Sequence, residues 1–144
     1  MIVIDSSVLV ALLNREDDRH GSSITWYAGC TEELVTTPLV LAEVDFLVER
    51  RGGAMSAAAL RRDVAAGAFQ VEWWPGCIAE SVELADRYAD AALGLTDASL
   101  VALAAHVETT RIATFDERHF RQVRPLRGAG AFTLLPLDAC ERGA

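Results

Sequence analysis

Asp5, Glu43, Asp97 and Asp116 are the residues of this chain whose types and surroundings could do chemistry. Asp5 follows the apolar run Met1-Ile2-Val3-Ile4, and Asp116 follows Ile112-Ala113-Thr114-Phe115, so each stands just past the end of an expected buried strand. Glu43 interrupts the apolar series Leu39-Val40-Leu41-Ala42-Glu43-Val44, and Asp97 opens the apolar stretch from Thr96 to Ala105. An isolated buried carboxylate is costly unless hydrogen bonds or a cation offset its charge. Several together point to a divalent cation held by oxygen ligands, the chemistry of metal-assisted phosphodiester cleavage.

Taken singly, each acid also has a plainer role. Asp5 between a strand and a helix can be a simple cap, although Ser6 or Ser7 could supply that cap instead. Glu43 has Leu39, Val40, Phe46 and Leu47 as its helical neighbours, so its side chain is expected to project from the apolar stripe, leaving a cation or an arginine as its partner. Asp97 in a first helical turn is stabilised by the helix dipole, and Asp116 could be an ordinary turn residue. Gathered within about 5 Å, each pair would repel by roughly 3 kcal/mol at an effective dielectric near 20. Metal should therefore stabilise the fold by mass action, and oxygen-only ligands favour Mg²⁺ or Mn²⁺ over zinc.

The elements that must position these acids are legible in the hydrophobic pattern. Strands are expected at Met1–Ile4, Glu33–Thr37, Phe69–Trp74, Arg111–Phe115 and near Ala131–Leu134. Helices are expected at Ser7 to about Leu13, with Ser6 as cap, at His20–Gly29, at Ser56–Ala66, at Cys77–Leu93, at Thr96–Glu108 and as a turn near Glu117–Gln122. Thr37-Pro38 starts a further helix that should run to Arg51, where Gly52-Gly53 stops it. Helical crossovers between buried strands imply an α/β fold with a parallel sheet and helices on both faces. In such sheets ligands bind beyond the C-terminal strand ends, at the topological switch point.

No repeat or linker divides the 144 residues, which are expected to form a single domain, 1–144. Cys30, Cys77 and Cys140 show no paired ligand spacing, which argues against a disulfide framework or a zinc site and for a reducing compartment. With no signal-like N-terminus and no membrane-spanning apolar run, a cytoplasmic location and no membrane partner are expected. The formal charge of −8 disfavours nucleic acid at first sight. All cationic side chains are arginine, however, and they are unevenly spread. Arg111, Arg118, Arg121, Arg124 and Arg127 face only Asp116 and Glu117 in their segment, and could track phosphates; Arg118 and Arg121 are the foremost candidates. Trp73 and Trp74 could stack bases or serve packing, and His119 is expected to pack or cap.

The segments Val3-Ile4-Asp5-Ser6-Ser7, Pro38 through Glu43, Leu95-Thr96-Asp97-Ala98 and Ala113-Thr114-Phe115-Asp116-Glu117-Arg118-His119-Phe120 together resemble PIN-domain ribonucleases, most closely VapC-like toxins of toxin–antitoxin pairs. The resemblance implies a five-stranded parallel sheet flanked by helices and an Mg²⁺- or Mn²⁺-dependent endoribonuclease. It implies Asp5, Glu43, Asp97 and Asp116 as catalytic and metal-holding acids, with Ser6 and Thr114 as supporting hydroxyls. It further implies an RNA substrate cut by a metal-activated water, a cognate antitoxin across the groove, and a homodimer. Receiver domains and haloacid-dehalogenase-like phosphatases also place aspartates at strand ends, but they rely on a lysine, which this chain lacks. A catalytically idle domain acting through a protein partner is the remaining alternative.

Overall fold

The computed structural model describes residues 1–128 and 130–139, so Cys140 lies outside the described residues. Five short strands, β1 (Ile2–Ile4), β2 (Leu34–Thr36), β3 (Gln70–Val71), β4 (Arg111–Ala113) and β5 (Thr133–Leu135), pair in parallel in the order β3-β2-β1-β4-β5. Every residue of β1 and β2 is buried. Since successive strand side chains point to opposite sides, such strands must be covered on both faces. The cover comes from α1 (Ser6–Leu13), α2 (His20–Gly29) and α3 (Pro38–Ala65), which pack together, and from α4 (Cys77–Arg87) and α5 (Leu95–His106), which form a second packed pair. A 3₁₀ turn (Ala89–Ala91) links α4 to α5, and α6 (Glu117–Phe120) follows β4.

The expected parallel α/β sheet is thus present, with strands shorter than the apolar runs that announce them. The helix expected at Cys77–Leu93 divides at Arg87, where the 3₁₀ turn takes over. The two helices expected on either side of Gly52-Gly53 run as one element broken at Gly53 (φ 77°, ψ 176°), a backbone conformation that side-chain-bearing residues rarely adopt. Arg61, beyond the break, grips Asp45 (2.7 Å) and Glu49 (3.0 Å) before it, fixing the angle between the two halves.

The helix α5 is buried continuously from Ala98 to Ala104 because small and aliphatic residues occupy all its faces. It contacts both β1 and α3. Its first turn therefore brings Asp97 to the same end of the sheet where β1 and β4 terminate. Among the described residues no helix is long and apolar enough to cross a membrane.

Candidate active site

The chain winds outward from β1 through β2 to β3, then returns to add β4 and β5 on the other side. The switch point lies between β1 and β4, with Ile4 opposite Ala113. The Asp5 N–H extends this ladder by donating to the Ala113 carbonyl (2.9 Å). Asp5 and the Thr114–Asp116 segment therefore leave adjacent strand ends together, where open α/β sheets bind ligands.

Asp5 is 3 % exposed and is the hub of this edge. Its Oδ1 accepts from the Ser6 N–H (2.6 Å) and the Ser6 hydroxyl (3.2 Å). Its Oδ2 accepts from the Ser7 hydroxyl (2.6 Å), the Ser7 N–H (3.4 Å) and the Thr114 hydroxyl (2.8 Å). Ser7 Oγ in turn accepts the Phe115 N–H (3.0 Å), and Thr114 Oγ1 accepts the Asp116 N–H (2.9 Å). Each hydroxyl thus takes a backbone proton from the β4 exit and passes its own proton to Asp5. Asp5 itself is the N-cap of α1, a correction to the expected Ser6 cap; a carboxylate offers two oxygens and collects both orphan N–H groups. Ser6 and Thr114 both contact the first acid. The Ser7 hydroxyl, expected only as an alternative cap, makes the shorter bond.

Asp97, Asp116 and His119 form the second part of the site, each offering a ligand atom within 4.8 Å of the others. His119 Nδ1 lies 3.0 Å from Asp97 Oδ2 and 3.0 Å from Asp116 Oδ2. Its approach satisfies neither contact as an aligned hydrogen bond, so this buried ring nitrogen is left without a hydrogen-bond partner among the described residues. Asp116 Oδ1 meanwhile caps α6 by accepting the His119 N–H (3.1 Å), which fixes the ring beside the carboxylates. Burial pushes the Asp97 carboxyl up to about 6, reinforced by the negative charges of Asp5, Asp116 and Glu43 and opposed by His119. Two carboxylates crowded onto an under-satisfied imidazole are a donor set that fits a divalent cation. Sequence offered no sign of the ring's position, because α6 places it through the Asp116 cap.

Glu43 differs from expectation. It is exposed rather than projecting from an apolar stripe, because its neighbour Phe46 is itself exposed, to 60 %, and Leu39 is only half-buried. The buried stripe of α3 is Val40, Val44 and Val48, one position further on. Glu43 nonetheless lies near enough to raise the Asp97 carboxyl. The two helices are tied at their starts: Thr37, the α3 cap, bonds Ser99 of α5 (2.9 Å), whose hydroxyl donates to Thr96 O (2.6 Å).

The arginines divide sharply. Arg111 begins β4, at the end of the strand away from the acids, and pairs with Glu32. Arg121 is clamped by Asp138 (2.5 Å) and Glu117 (3.2 Å), and Arg127 faces Glu108 (3.6 Å). Arg118 and Arg124 are exposed and have no carboxylate partner among the described residues. Trp73 is exposed, whereas Trp74 stacks on His106 with ring centroids 4.2 Å apart, as packing requires.

Comparisons with known proteins identify the family. The PIN domain family model matches residues 2–125. Ribonuclease VapC26 of Mycobacterium tuberculosis is 35 % identical over 139 residues, covering 94 % of this chain and 100 % of the relative. The crystal structure of VapC20 of Mycobacterium tuberculosis, a Sarcin-Ricin loop cleaving toxin, superposes with a TM-score of 0.76 at 24 % identity, over 81 % of this chain and 91 % of that one. The crystal structure of FitAcB from Neisseria gonorrhoeae matches the fold with a TM-score of 0.59 at 18 % identity, over 84 % and 91 % of the two chains. With its acids gathered at the β1–β4 switch point and a close relative matched along its whole length, the chain belongs to the PIN-domain family, among the VapC proteins.

Proposed function

We propose that this protein is a divalent-metal-dependent endoribonuclease and the toxin of a toxin–antitoxin pair, acting in the cytoplasm as a homodimer. The observation that carries the activity is the convergence of Asp97, Asp116 and the unsatisfied His119 nitrogen beside a hydroxyl-locked Asp5. Asp97 and Asp116 would hold Mg²⁺ or Mn²⁺, with Asp5 and Glu43 completing the acidic set. A nitrogen donor from His119 tilts the preference from Mg²⁺ toward Mn²⁺. A bound cation supplies a water of lowered pKa and charge compensation at the leaving 3′ oxygen.

The chain's own residues do the rest. Asp5, fixed by five donors, sets the spacing between the β1 and β4 exits. His119 Nδ1 is held 3.0 Å from both Asp97 and Asp116 by the Asp116 cap on α6, where it could join them as a ligand. Glu43 closes the site from its exposed position on α3. Arg118, with no carboxylate partner among the described residues, is the α6-side contact for RNA phosphate, and Arg121 would join it only by leaving Glu117 and Asp138.

Mapping of cleaved ends in total RNA tests the proposal, comparing wild type and Asp116→Asn with EDTA, Mg²⁺ or Mn²⁺. New 5′-phosphate and 3′-hydroxyl ends should appear only with wild type and metal. Cutting that persists in EDTA or in a folded Asp116→Asn would overturn the metal centre. Silence of wild type on every RNA, in every metal, would leave a partner-binding domain.

A further inference from the structure

We propose that Arg19 and Arg51 form a binding site for a backbone phosphate of the RNA strand, placed on the Ser6–Ser7 side of the acidic centre. Resting on the ribonuclease function above, this assigns the residues that hold the strand beside the scissile bond. They lie outside the arginine-rich segment that sequence alone brings forward.

A cleft of about 230 Å³ is lined by Ser6, Ser7, Leu47, Asp17, Arg19 and Arg51. Ser6 and Ser7 are the residues that lock Asp5, so the cleft begins where the acidic centre ends. The Arg19 guanidinium lies 4.8 Å from the centroid of the Phe115 ring. Phe115 sits between Thr114 and Asp116, and its N–H is bonded to Ser7. A cation–π contact thus holds one guanidinium at the rim of the site. The Asp17 carboxylate also faces the cleft, but its Oδ1 accepts the Arg19 N–H (2.9 Å), a tight turn that fixes where Arg19 leaves the chain. Arg51 comes from α3, just before the break at Gly53.

Neither guanidinium has a carboxylate within ion-pair distance among the described residues, whereas Arg61, Arg111, Arg121 and Arg127 all do. What sets these two apart from the other arginines without a recorded ion pair is position: both line the cleft that begins at Ser6 and Ser7. A polyanion that must approach those acids needs cationic contacts at its flanking phosphates, and the planar fork of arginine matches phosphate oxygens.

Binding of a short fluorescein-labelled single-stranded RNA of pooled random sequence, followed by anisotropy in Ca²⁺ across a NaCl series, tests this without requiring cleavage. Arg19→Ala, Arg51→Ala and the double variant are compared with wild type, with Arg62→Ala as an exposed control and thermal melts as the check on folding. Each cleft variant should weaken binding about tenfold and reduce the salt slope by about 0.7 per lost phosphate contact. Arg19→Lys should keep the slope and lose only part of the affinity. In cleavage assays KM should rise with kcat retained. A folded double variant with wild-type affinity and slope would overturn the proposal, as would wild type that binds no RNA. Binding with the expected slopes but no cleavage would sink the enzymatic function and leave this site standing.

Discussion

The two sides of the acidic centre are built in opposite ways. On the sheet side Asp5 is buried and receives every donor within reach, and Thr114 joins it to the backbone of Asp116. On the α3 side Glu43 stands in solvent, with no hydrogen bond or ion pair among the described residues. The first is preorganised; the second is free to meet a cation or a strand when one arrives. A metal site assembled from both gains a fixed geometry from the sheet and adjustability from the helix.

Asp97 should give the largest effect. Asp97→Asn is expected to lower cleavage by about a thousandfold or more, since it removes a charged ligand from the metal centre. The same change should raise metal-free stability at neutral pH. The folded Asp97 carboxyl sits at about 6, above its ordinary value of 3.8, so the folded state binds the extra proton between those values. The stability contributed by the protonated form is complete below the lower value and disappears as pH rises through about 6. Thermal melts in EDTA should therefore show wild type and Asp97→Asn converging near pH 4 and diverging by up to roughly 3 kcal/mol at pH 7. Added Mn²⁺ should close that gap for wild type alone. Parallel melts across the whole pH range would sink the buried-charge account.

The next effect tests the hydroxyl lock. Thr114→Val keeps shape but removes the donor to Asp5 and the acceptor for the Asp116 N–H, which should cost about 1–3 kcal/mol by denaturant unfolding. Ser6→Ala should cost less, because the Ser6 N–H continues to hold the same Asp5 oxygen at 2.6 Å. Equal costs would mean that the β1–β4 junction is not set by these hydroxyls. Glu43→Gln is the smallest for stability, expected within about 0.5 kcal/mol of wild type, as for an exposed side chain. Its cleavage activity should still fall, and if it does not, Glu43 is a solvated residue of α3 and nothing more.

The three aspartates were legible because each ends or opens an apolar element, and a carboxylate at such a boundary shows in one dimension. The parallel sheet and the break at Gly53 were legible for the same reason. Glu43 was misplaced because hydropathy is not burial: Phe46 looks like core and faces solvent, and Leu39 is only half-buried. Ser7 and Thr114 meet across 107 positions of sequence, which only strand pairing reveals. His119 and Arg19 are set by a cap and a tight turn, local devices whose direction depends on the surrounding fold.

The lock between β1 and β4 also fixes when this protein can become dangerous. Its parts are far apart in sequence, Asp5 and Ser7 near the start and Thr114, Asp116 and His119 well past the middle. A chain still emerging from the ribosome without β4 holds Asp5 but has nothing to align it with. On the function proposed above, catalytic competence would therefore arrive late in synthesis, with the pairing of the central strands. A toxin made this way would be harmless for most of its own translation, leaving time for an inhibitor to meet it as it folds.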